Sequence, residues 1–119
     1  VTTLILKRFD NEIPDTLELG GVSLHLASLY SGIERILVLE LEARGFKVAK
    51  SDTWHVEILA KALSTDIITA DVYNELKGLL GFRHFLRHAY SFQVKPQLIM
   101  EMLQRVPSFM DKLFEKLES

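Results

Sequence analysis

With 119 residues, 48% of them hydrophobic, no cysteine and a formal net charge of −2, the chain holds enough apolar material for one core and too little length for two ordinary domains. A disulfide framework, a thiolate metal site and a catalytic cysteine are all excluded by the missing thiols. The charge balance excludes nucleic-acid binding by bulk positive charge, as in a histone-like protein, and leaves room only for a local basic site.

The chain begins at Val1 rather than Met, so upstream residues are expected to have been removed or left out. No apolar run approaches the ~20 residues of a membrane span, and no charged-then-apolar leader opens the chain. A soluble cytoplasmic protein is expected, one domain over residues 1–119.

Residues 2–9 read as a short helix or the tail of a truncated one. Residues 11–21, with Pro14, Asp15, Gly20 and Gly21, read as a connection. Over residues 22–44 the apolar positions Val22, Leu26, Leu29, Ile33, Ile36 and Leu37 recur at three- and four-residue steps, which predicts a long core-facing helix. Gly45 follows, where a left-handed residue ends such a helix. Gly32 sits inside it at a cost of about 1 kcal/mol relative to Ala, so either a neighbouring helix passes close or the position is tolerated.

Ser51 or Asp52 is a natural N-cap for a shorter helix over residues 53–63, with Trp54, Ile58, Leu59 and Ala62 on its apolar side. Thr69 then caps a second long helix expected to reach Tyr90. Pro96 is placed to open a final helix, whose stripe of Leu98, Ile99, Met102, Leu103, Val106, Phe109, Met110, Leu113 and Leu117 continues past Pro107. That proline removes a backbone bond and is expected to kink or split the helix. No period-two strand pattern stands out. The expectation is all-α: an up-and-down antiparallel helical bundle.

The densest chemistry lies in residues 81–90, Gly-Phe-Arg-His-Phe-Leu-Arg-His-Ala-Tyr. At about 100° per residue, Tyr90, Arg83, Arg87, His84 and His88 fall in one arc of a helix, with Leu86, Phe82, Ala89 and Phe85 opposite. No acidic residue lies between Lys77 and Gln97, so positive charge is concentrated here. His84 and His88 are four apart, a spacing that can clip a metal on one helix. No third ligand accompanies them, because His55 and His25 belong to other predicted helices; neither a metal nor a cofactor is called for.

Arg83-x4-His88, with His84 directly after the arginine, resembles the signature of the HEPN superfamily of α-helical ribonucleases. His88-Ala89-Tyr90 matches the His-x-Tyr extension of the HepT-like toxins within it. Residues 29–36, Leu-Tyr-Ser-Gly-Ile-Glu-Arg-Ile, look like the second-helix core of that family, and residues 51–55, Ser-Asp-Thr-Trp-His, like the helix start before its motif helix. A bare Arg-x4-His carries little information; the combination in this order carries much more.

The resemblance implies a metal-independent endoribonuclease acting at the two-fold interface of a homodimer and paired with a minimal nucleotidyltransferase antitoxin. It implies Arg83 and His88 as catalytic residues and Tyr90 as the residue to which the antitoxin transfers AMP. The chemistry suits the residues. Imidazole is the side chain that changes charge near neutrality, and a guanidinium is a permanent cation whose fork fits phosphate. On one helix Arg83 and His88 stand about 140° and 7.5 Å apart, so two copies across a dyad are needed to bring both pairs into one cleft. Tyr90 lies within about 20° of Arg83 in azimuth, where an adduct would add competing phosphate and charge.

His84 and Arg87 are candidate RNA contacts. Arginines on exposed faces are commonly solvated surface residues, and a tyrosine at a helix end commonly keeps its hydroxyl in water. His55, beside Trp54 at a helix start, is expected to pack or cap. Glu34 and Arg35 either pair with neighbours or line the cleft. The rival reading is a non-catalytic bundle that recruits or regulates a nucleotidyltransferase. A purely structural bundle leaves the Arg and His arc unexplained.

Overall fold

The computed structural model describes residues 16–87 and 96–118. They form four helices, α1 (Thr16–Ala43), α2 (Trp54–Ser64), α3 (Ala70–Arg87) and α4 (Pro96–Glu118). Among the described residues there is no strand. The molecule is an all-α, up-and-down bundle with extents of 46 × 31 × 19 Å. The expected helix over residues 2–9 and the helical continuation through His88 to Tyr90 lie outside the described residues.

α1 packs against each of the other three helices. Its four-residue rhythm explains this: Val22, Leu26, Tyr30, Ile33, Leu37 and Leu41 are all buried on one stripe, which runs the length of the helix. The stripe meets Ile58, Leu59 and Ala62 of α2, Leu76 and Leu79 of α3, and Leu103, Val106 and Leu113 of α4 in one apolar cluster. Residues Gly20–Ala43 are long and apolar enough to cross a membrane by length and composition, contrary to the expectation that no stretch is. In this bundle that apolarity serves the core, since the stripe faces protein on three sides.

α1 also begins earlier than expected, at Thr16 rather than near Val22. Gly20 and Gly21 weaken a helix without forbidding it, and nothing crowds either position. Gly32 is likewise exposed, with no atom within 4 Å of an added Cβ. It is tolerated; among the described residues no helix passes close.

Two of the connections are closed by the same device. At the end of α1, Gly45 has φ of +91°, its N–H donates to Glu42 O at 3.0 Å, and the Phe46 N–H donates to Leu41 O at 3.0 Å. At the end of α2, Asp66 has φ of +62°, its N–H donates to Leu63 O at 3.1 Å, and the Ile67 N–H donates to Ala62 O at 2.9 Å. This is the paired-bond stop that satisfies the last carbonyls of a helix. Ile67 and Ile68 are buried behind the second stop, which fixes where α3 starts.

The N-terminal signals are partly as expected. The Val72 N–H donates to Thr69 Oγ1 at 3.3 Å, so Thr69 caps α3. The residue before α2 is Thr53, not Ser51 or Asp52, and its side chain makes no cap bond; instead the Thr53 and Ser51 hydroxyls both donate to the Glu57 carboxylate. α4 begins at Pro96 and runs as one helix through Pro107. The proline therefore does not split it, because Leu103, Val106, Phe109 and Leu113 on both sides of it enter the same core.

Candidate functional site

A step of four residues, close to one α-helical turn of about 3.6, places Tyr30 and Glu34 on one face of α1, one above the other. That face is the buried one. Tyr30 is fully buried and Glu34 is only 6% exposed, a position where an isolated carboxylate is costly. Two hydrogen bonds offset the cost. The Tyr30 hydroxyl donates to Glu34 Oε2 at 2.7 Å, and His55 Nδ1 lies 2.7 Å from the same oxygen.

An ionised carboxylate only accepts, so the proton in the second bond belongs to His55 Nδ1. This fixes both the ring orientation and the nitrogen left over, Nε2. Burial pushes the Tyr30 phenol well above its ordinary range, the hydrogen bond and negative charge of Glu34 push it further, and Arg83 acts in the opposite direction. Tyr30 therefore stays a donor, and the network stays intact.

Arg83 enters from α3. Its guanidinium carbon lies over the Tyr30 ring, 5.9 Å from the centroid, within range of attraction between a cation and a ring face. The side chain is half-buried. Among the described residues no carboxylate pairs with it. Arg83, Tyr30, Glu34 and His55 thus form one continuous chain of contacts across α3, α1 and α2.

The sequence expectations fare unevenly against this arrangement. Arg83 and His84 do not point into one place: Arg83 leans over α1, while His84, about 100° further round α3, is exposed and lines a cleft shared with His55. Phe82 is buried as expected, whereas Phe85 is half-buried and borders a shallower groove with Leu98 and Met102. Arg87 closes α3, with its side chain outside the described ones; His88 and Tyr90 also lie outside the described residues.

His55 is neither a simple packing residue nor a cap. Its ring lies tilted at 38° against Trp54 with centroids 4.3 Å apart, yet its polar edge reaches across to α1. Of Glu34 and Arg35, the first pairs inside the core and the second is exposed. The signal available in the sequence was the acidic residue at a core-facing position of α1, four residues after a tyrosine.

The cleft between the first turn of α2 and the flank of α3 has a volume of about 380 Å³, and His55, Val56, Leu59, Lys77, Leu80 and His84 form most of its wall. Among the described residues no group of three or more His, Asp or Glu side chains is arranged to hold a metal ion. The site as described therefore offers a cation, a held imidazole and a second imidazole.

A family model described as HepT-like protein matches residues 21–119 of the chain, a span that includes the whole Tyr30, Glu34, His55 and Arg83 network. Comparisons with curated proteins and with solved structures give no significant match.

Proposed function

Because the chain belongs to the HepT-like family, we propose that it is a metal-independent endoribonuclease toxin that works as a homodimer, with Arg83 and His88 as its catalytic residues. RNA cleavage without a metal needs a base for the 2′-hydroxyl proton, a cation for charge on the phosphorane, and an acid for the departing 5′-oxygen. In this reading the His88 imidazole of one copy takes the 2′-hydroxyl proton as that oxygen bonds to phosphorus. The P–O5′ bond breaks, and the His88 of the second copy, present as imidazolium, gives its proton to the 5′-oxygen and is left neutral. The guanidinium of Arg83 holds the phosphate, and His84 and Arg87 contact the RNA.

The observation that carries the reading is the state of Arg83. A half-buried guanidinium is held over the Tyr30 ring, with no carboxylate pairing to it among the described residues. A cation kept in that condition suits a phosphate that arrives from outside.

The partner in this reading is a cognate minimal nucleotidyltransferase antitoxin, which transfers AMP to Tyr90 in the cytoplasm. The adduct brings phosphate and negative charge to the RNA site and closes it. Incubation with ATP and that enzyme should add AMP at Tyr90, read by mass spectrometry; AMP on another residue rejects the assignment. Light scattering at micromolar concentration should show a dimer, and a monomer alone removes the composite site.

The direct test is RNA cleavage in excess EDTA by the wild-type protein, Arg83→Ala and His88→Ala. Cleavage by the wild type and its loss in both variants supports the nuclease. Equal inactivity of three folded, dimeric and unmodified preparations rejects it in favour of a binding subunit that recruits the nucleotidyltransferase.

A further inference from the structure

His55 is a polar group that the Arg-x4-His reading leaves without a task, and both a buried carboxylate and an indole hold it in place. One edge of the ring is bonded to a buried carboxylate, which is itself bonded to a buried phenol. One face is covered by Trp54. What remains is the Nε2 edge and the flank that lines the cleft between α2 and α3.

That cleft is divided by chemistry. Both helices contribute to each part: Val56 and Leu59 of α2 and Leu80 of α3 supply apolar lining, while His55 of α2 and Lys77 and His84 of α3 supply nitrogen groups. Asp52 at the same cleft accepts hydrogen bonds of the kind an exocyclic amino group donates. The volume of about 380 Å³ lies in the range of small-ligand sites. An apolar slot for a planar ring beside nitrogen donors for a phosphate is the composition that binds a nucleotide.

We propose that this cleft is a nucleotide subsite of the RNA site, in which the base lies against Val56, Leu59 and Leu80 and the phosphate accepts from Lys77 and from the Nε2–H of the doubly protonated His55 ring. Glu34 and Tyr30 are positioning residues: they touch no ligand and fix the imidazole that does. Lys77 lines the cleft, with its ammonium 5.5 Å from the Tyr73 ring centroid on the same helix, so a phosphate in the cleft must draw it off that ring. The inference rests on the nuclease reading for its choice of RNA as the source of the nucleotide.

The experiment uses the intact protein and a deoxyadenosine dinucleotide, which lacks the 2′-hydroxyl and is not cleaved. NMR follows the Cε1–H signal of His55, identified by its loss in His55→Asn. That variant keeps an amide donor for Glu34 and removes Nε2. A second variant, Val56→Trp, fills the cleft from a position that is 52% exposed and so leaves the core alone.

The expected result is a saturable shift of the His55 signal in the wild type and at least tenfold weaker binding in both variants. A His55 signal that does not move at saturation, or wild-type affinity in both variants, overturns the subsite. Adenosine monophosphate binding as tightly as the dinucleotide overturns the assignment to RNA, because a chain subsite gains from the second unit. Since the probe is not cleaved, a protein inactive in EDTA that still binds it leaves the subsite standing while the nuclease reading falls.

Discussion

Tyr30 and His55 both bond to the same oxygen of Glu34, each at 2.7 Å. The carboxylate is therefore the joint between α1 and α2, and Arg83 over the Tyr30 ring extends the joint to α3. The consequences for stability and for chemistry can be separated.

Glu34→Ala leaves a buried phenol and a part-buried imidazole without their acceptor. Removing one partner of such a set costs the desolvation of those left behind, so a loss of about 3 kcal/mol is expected. Urea unfolding with an unchanged m value measures it. A loss under about 0.5 kcal/mol would mean that water replaces the carboxylate and the joint carries little.

Tyr30 sets a pH dependence. Its phenol holds its proton more firmly in the folded state than in the unfolded one, so the folded form binds more protons once the pH exceeds about 10. The contribution is complete below that pH and declines as pH rises above it. Tyr30→Phe should lower stability by about 1 kcal/mol near neutrality and flatten the alkaline decline. Parallel slopes for the two proteins between about pH 9 and 11 would contradict the assignment to this phenol.

Arg83 should matter for cleavage far more than for folding. Its described contact is one cation over a ring, worth about 0.5–1 kcal/mol, whereas loss of a phosphate-holding group costs about 100-fold or more in rate. Arg83→Lys keeps the charge and loses the planar fork, so an intermediate loss is expected. RNA cleavage alongside thermal unfolding tests this; full activity in Arg83→Ala would remove the residue from the catalytic machinery.

Two glycines should respond with opposite signs. Gly45 has φ of +91°, and Gly45→Ala forces a side chain into the left-handed region at a cost of about 1–2 kcal/mol. Gly32 lies mid-helix with open space where a Cβ would stand, so Gly32→Ala should stabilise by about 1 kcal/mol. Denaturant midpoints of the two variants give the signs directly.

Periodicity made the bundle legible. Val22, Leu26, Ile33 and Leu37 of the first stripe and Ile99, Leu103, Val106, Phe109 and Leu113 of the second are buried where their spacing put them, whereas Leu29 and Ile36 are half-buried and Leu98 is 51% exposed; Thr69, Gly45 and Pro96 mark helix ends as their backbone chemistry requires. The same logic misjudged Gly20 and Gly21, because two exposed glycines cost a helix less than its tertiary contacts return. Of the two outcomes expected at Pro107, the split does not occur, for the same reason. The site was legible on one helix only. Arg83 and His84 are visible as a local pattern, but His55 joins Arg83 through a tyrosine and a glutamate on a third element, and spacing along a chain does not encode contacts between elements.

Trp54 is the single tryptophan of the chain, and its ring lies tilted against that of His55 with centroids 4.3 Å apart. An imidazole against an indole quenches its emission more strongly when protonated. The protein therefore carries its own fluorophore beside the cleft, against the His55 ring and with the Lys50 ammonium 5.7 Å from the indole centroid, and the brightness of an unlabelled sample reports what changes there.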